Sequence, residues 1–160
     1  MLKIDEKDCI ILDLLQKDCR MSLTRIAKEV ELSIDSVKKR IKKMLQGNIF
    51  YPKVQLRPRN FGFSNIVDVN IKLHDYSDQD IKKFISFLQE HPNVAEIFSV
   101  SGEWNFSIVI IAKDAIDLGR ISNSIRNKFY SIVNEWSESL TTCVYKFEDY
   151  DMIKLMNYKR

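Results

Sequence analysis

The sequence predicts an α+β chain in two parts, an N-terminal three-helix (winged) helix-turn-helix followed by a C-terminal ferredoxin-like βαββαβ domain. Three observations carry this expectation. Three short helical periods stand in succession before residue 50, with a tight turn between the second and third. The second half alternates two-residue and helical periodicities, the signature of strands and helices in turn. Charge divides the same way: residues 1–60 hold 14 Lys and Arg against 8 Asp and Glu, a net of +6, while residues 61–160 hold 11 against 14, a net of −3. A basic part joined to a mildly acidic one points to a polyanion-binding module fused to something with another task.

The elements follow in order. In DEKDCIILDLLQK (5–17), Ile11, Leu12 and Leu15 recur at helical spacing behind acids that suit a helix N-terminus. In SLTRIAKEVE, Ser22 is a natural N-cap, and Leu23, Ile26, Ala27 and Val30 share a face. Ser33 caps the third helix, whose Ile34, Val37, Ile41 and Met44 form one core-facing stripe; Gly47 stands where a left-handed C-cap residue falls. Residues 49–60, IFYPKVQLRPRN, read as an extended hinge strand that its prolines hold at an edge or in the open. A strand is expected over 66–74, a helix over 77–91 and strands at Val94–Ser101 and Phe106–Lys113, joined around SGEWN. A helix over 115–134 carries Leu118, Ile121, Ile125, Phe129 and Ile132, and ESLTTCVYKFE (138–148) reads as the last strand. The division is therefore a helix-turn-helix over 1–49, a hinge over 50–62, the βαββαβ domain over 63–150 and a tail over 151–160.

Composition excludes several classes. With 45% hydrophobic and 29% charged residues, the chain is globular, not disordered. Cys9, Cys19 and Cys143 form no CxxC pair and the two histidines, His74 and His91, stand at a strand end and in a helix-ending HPN turn, so no metal or other cofactor is expected. Reduced thiols, no apolar leader and no long apolar run point to a cytoplasmic protein without a membrane partner. No Gly-x-Ser-x-Gly, P-loop or HExxH pattern is present, and no enzyme activity is expected.

Two stretches carry the functional signal. The first is SIDSVKKRIKKMLQGN (33–48). Cations make up most of the surface of this helix opposite its apolar stripe. Ser33, Asp35 and Ser36 stand at the N-terminal end, the end that reaches base edges in a helix-turn-helix. Lys38, Lys39, Arg40, Lys42 and Lys43 lie along it, where phosphates are met. Lysine-rich solvated faces are common, but this one lacks interleaved acids. The hinge adds Lys53, Arg57 and Arg59, so residues 33–60 carry eight cations and one acid. Asp35 complements the helix dipole, or accepts from a cytosine amino group; the dipole reading is preferred. The second signal is apolar bulk on both faces of the sheet, in FSIVIIA and in the last strand (Leu140 and Val144 against Cys143, Tyr145 and Phe147). Two helices cover one face only, so a second copy of the chain is expected against the other.

With these residues in view, the stretch from Asp5 to Ile49 resembles the helix-turn-helix of the Lrp/AsnC (feast/famine) transcription regulators, including the Leu-Ser before the third helix and the RIKK-M segment. The βαββαβ order continues the resemblance over about 145 residues. It implies a regulator of double-stranded DNA, a homodimer built through its sheet faces and assembling further to tetramers or octamers, and amino-acid sensing. The sensing loop would be Ser101, Gly102, Glu103, Trp104 and Asn105. Gly102 matches the family's Gly-x-x-Asp, and Asn105 replaces its carboxylate by an amide. The same loop also reads as a plain hairpin turn in which Gly supplies a positive φ and Asn tolerates one. Two other functions fit the architecture: a sirohaem-decarboxylase-like enzyme, poorly matched here for want of positioned acid–base residues, and an architectural DNA-compacting protein.

Overall fold

A computed structural model describes residues 2–158; Met1, Lys159 and Arg160, at the outer ends of the expected helix-turn-helix and tail, lie outside the described residues. The chain divides into two compact units, one of residues 1–55 with 145–160, the other of residues 56–144. Chain beyond residue 144 therefore belongs to the N-terminal unit.

That unit is built on α1 (Glu6–Lys17), α2 (Leu23–Glu29) and α3 (Ile34–Gln46). Each start is capped by the side chain just before it: Asp5, Ser22 and Ser33 accept from the backbone N–H three residues on. Ile11, Leu12, Ile26, Ala27, Val30, Val37 and Met44 form the core. Between α2 and α3, Glu31 takes a left-handed conformation at φ 53°, and the Lys7 ammonium donates to the Val30 carbonyl at 2.7 Å, closing the end of α2. The expected left-handed cap at Gly47 is corrected: its φ is −84°, and Asn48 is the left-handed residue at 53°. Glycine is needed at 47 for room instead, since a Cβ there would come within 2.7 Å of the Leu2 side chain. No strand stands between α3 and β1 among the described residues, so the hinge expected over 49–60 forms no ladder; Tyr51, Val54 and Leu56 are exposed, and a 3-10 turn covers Pro58–Phe61. Pro52 and Pro58 remove backbone donors here. At the far end of the chain a single helical turn, α6 (Met152–Leu155), lies on α1: Gln16 and the Tyr150 backbone exchange two hydrogen bonds, the Met152 N–H donates to Asp13, and Ile153 is buried.

The second unit is β1 (Asn65–Leu73), α4 (Asp78–Glu90), β2 (Val94–Ser99), β3 (Phe106–Ala112), α5 (Ala115–Lys128) and β4 (Val133–Leu140). The sheet is antiparallel in the order β2-β3-β1-β4, the ferredoxin-like arrangement. Val67, Val69 and Ile71 of β1 and Phe106, Ile108 and Ile110 of β3 are buried in one core with Phe84 and Leu88 of α4 and Ile121 and Ile125 of α5. Phe84 meets Phe106 and Phe129 edge-to-face.

The last strand differs from expectation. It spans 133–140, not 138–148, and α5 stops at Lys128. Phe129 and Ile132 keep a helical spacing but sit in a tight turn, where the Ile132 and Val133 N–H groups donate to the Phe129 carbonyl. Both still reach the core, so the apolar period runs through a turn. The strand itself, VNEWSESL, lies at the sheet edge and is mostly exposed, which leaves little alternation to read. The face of the sheet away from the core is consequently mixed. It carries Val109 and Ile111 beside Asp68, Asn70, Ser107, Ser137 and Ser139, with Lys72 paired to Glu135 across β1 and β4 at 3.1 Å. Val144, Tyr145 and Phe147, expected within the last strand, lie outside it and are exposed.

Candidate nucleic-acid interface

The tight α2–α3 connection and the shared core fix α3 with its opposite side in solvent. Val37 and Met44 are buried, and Asp35, Lys38, Lys39, Lys42, Lys43 and Gln46 are exposed. None of the four lysines forms an ion pair among the described residues. Ser33 and Ser36 are engaged with each other: the Ser33 Oγ accepts from the Ser36 N–H at 3.2 Å and lies 2.8 Å from the Ser36 Oγ. Asp35 falls in the first turn of α3, where a carboxylate complements the dipole.

Arg40 differs from its neighbours. Its guanidinium reaches Asp5 at 2.7 Å and Asp8 at 2.8 Å, and the Asp8 side chain is only 7% exposed. Asp5 and Asp8 in turn close a reciprocal capping box at the start of α1. The hydrogen bonds that the guanidinium donates to Asp8 and Asp5 hold the Arg40 pKa above its ordinary value. Burial pushes the Asp5 carboxyl upward, but the Asp8 N–H and the Arg40 guanidinium outweigh it and hold Asp5 below 3.8. Arg40 thus ties α3 to α1. Arg59 is similarly occupied within the second unit, donating to the Thr141 and Thr142 carbonyls. Lys53 lies 5.4 Å from the Tyr51 ring, and neither Lys53 nor Arg57 makes an ion pair among the described residues.

One apolar residue also departs from expectation. Ile34, placed by its spacing on the core stripe, is 45% exposed. It is the first residue of α3, so the stripe begins a turn before the core does.

In the second unit, Ser101, Gly102 and Glu103 form an exposed loop between β2 and β3, and Trp104 and Asn105 are half-buried. Gly102 adopts φ 126°, the conformation expected of it. Asn105 does not take a positive φ; its role is a bond that spacing alone does not reveal. Its Oδ1 accepts the Leu73 N–H at 2.7 Å, and its own N–H donates to the Ile71 carbonyl. This extends the β1–β3 pairing beyond the strand end. His91 accepts the Asn93 N–H on Nδ1, and burial, with the Arg120 charge, holds its pKa below 6.5. Among the described residues no group of His, Cys, Asp and Glu could hold a metal ion, and no helix is long and apolar enough to cross a membrane.

A helix-turn-helix whose third helix exposes a row of lysines, in one chain with a ferredoxin-like unit, defines a two-unit helix-turn-helix regulator. Comparison with known proteins makes the class specific. Residues 4–45 match the model of the AsnC-type helix-turn-helix domain, and residues 66–133 that of the Lrp/AsnC ligand binding domain. The HTH-type transcriptional regulator LrpA of Pyrococcus abyssi is 34% identical over 124 residues, covering 76% of this chain and 86% of the relative. The DNA-binding transcriptional activator DecR of Escherichia coli is 31% identical over 113 residues, 70% of this chain and 72% of that one. Among solved structures, an AsnC family regulator from Agrobacterium tumefaciens superposes with a TM-score of 0.84 at 23% identity, covering 96% of this chain and 99% of its own. A regulator from Neisseria meningitidis, solved as its L-Met complex, gives 0.81 at 18%, covering 91% and 94%. These two likenesses bear on the fold. The chain belongs to the Lrp/AsnC family of transcription regulators.

Proposed function

We propose that this regulator grips duplex DNA with the exposed face of α3. Lys38, Lys39, Lys42 and Lys43 meet phosphates, and the N-terminal end of the helix, with Ser33, Asp35 and Ser36, lies at base edges. The observation that carries the reading is the row of exposed lysines with no carboxylate partner among the described residues, beside an arginine of the same run that has two. Unpaired cations release counterions from DNA on binding; a guanidinium already held by two carboxylates has little charge left for that purpose. Arg40 is therefore assigned to positioning α3, and Arg59 to holding the chain after β4. Lys53 and Arg57 remain as added phosphate contacts. Retardation of genomic DNA fragments at low salt tests the reading, and a protein that shifts none of them refutes it.

The match to a ligand-binding domain and the loop at Ser101–Asn105 support a small-molecule effector, an amino acid being the first candidate. Asn105 takes part as a shape-giving residue, since its carbonyl oxygen holds the Leu73 N–H. Two copies pair through the outer face of the sheet, where Val109 and Ile111 supply the apolar contact, and such dimers assemble further. The chain acts in the cytoplasm as a regulator, not an enzyme. Light scattering of the purified protein checks the assembly, and melting curves with a panel of amino acids check the effector.

A further inference from the structure

We propose that Ile34 reads thymine: its side chain packs against the 5-methyl group of a thymine in the major groove. The proposal rests on the DNA-binding reading of α3 and adds to it a determinant of sequence preference. Ile34 opens α3 directly after the Ser33 cap, at the end of the helix that reaches base edges. It is 45% exposed, although Val37 and Met44 further along the same stripe are 0% and 1% exposed. The hydroxyls beside it are engaged with one another, Ser33 Oγ lying 2.8 Å from Ser36 Oγ. Exposed apolar carbon thus stands beside a partly consumed hydrogen-bonding inventory.

The chemistry of its partner follows. An isoleucine side chain neither donates nor accepts, and the thymine methyl is the one apolar group on the major-groove edges of the bases. A protein partner would need far more apolar area than one side chain offers. The flanking surface argues the same way, because Lys38, one turn on, and Lys39, Lys42 and Lys43 complement phosphates.

The test begins with duplexes selected by the full-length protein from a random library. In the tightest one, each thymine is replaced singly by uracil, which removes the methyl and leaves the pairing edge intact. Wild type is expected to lose roughly fourfold in affinity at one position of the site, the worth of about one buried CH₂. Ile34→Ala should lose about as much on the thymine duplex and nothing more on the uracil duplex, while Ile34→Val keeps the sensitivity. Equal uracil penalties in wild type and Ile34→Ala overturn the proposal, as does a tight duplex with no sensitive position. A change in oligomeric state on Ile34→Ala overturns it too, by assigning the residue to a contact between copies. Failure to retain any duplex refutes the DNA-binding reading itself, and this inference with it.

Discussion

The outer face of α3 and the loop from Ser101 to Asn105 are the two regions to which the sequence gives functional weight, and they spend their polar groups differently. On α3 the lysines have no ion-pair partner among the described residues. In the loop, Asn105 is tied to the sheet, through Leu73 on its side-chain oxygen and Ile71 on its backbone. The contrast recurs inside α3, where Arg40 is bound to Asp5 and Asp8 while Lys39 beside it projects into solvent. Residue type says what a group can bind; only its existing partners say whether it is free to do so.

Substitutions at three positions sharpen this contrast. The largest effect is expected at Arg40. Arg40→Gln leaves the Asp8 carboxylate, 7% exposed, without its cation, and should cost about 1–3 kcal/mol in urea unfolding. The folded Asp5 titrates below 3.8. The latch is therefore fully present above that pH and is lost as pH falls through the lower folded value. Arg40→Gln should flatten this acid limb of stability. Asn105 comes next: Asn105→Ala strands the N–H of the buried Leu73 and should cost about 1–2 kcal/mol, whereas Asn105→Asp keeps the acceptor and should cost clearly less. If the two prove equal, the bond to Leu73 contributes nothing. The smallest effect is a gain. Glu31 holds φ 53°, so Glu31→Gly should stabilise the protein by about 0.5 kcal/mol, the relief of a left-handed side chain offset by the freer unfolded glycine.

Much of this was legible in the sequence. Cap residues and apolar periods located α1, α2, α3, α4, β1 and the β2–β3 hairpin to within a residue or two, because there local preference and burial agree. The end of the sheet unit was not legible. Phe129 and Ile132 continue a helical spacing through a turn, β4 is an exposed edge strand with little alternation, and TTCVYKF is rich in strand-forming residues but joins no ladder. At the candidate interface, the sequence identified the basic helix but could not separate Arg40 from the lysines, since Asp5 and Asp8 lie more than thirty positions away. The exposure of Ile34 was hidden for a related reason: periodicity assigns a face, while the length of the core decides where along that face burial begins.

The most direct test of the central claim is the salt dependence of binding to a single duplex by wild type, Lys39→Ala and Arg40→Gln. Removal of Lys39 should reduce the slope of log affinity against log salt by about one, and Arg40→Gln should leave the slope unchanged even where it weakens binding. Equal slopes for wild type and Lys39→Ala, or a slope that flattens only when Arg40 is lost, would contradict the account.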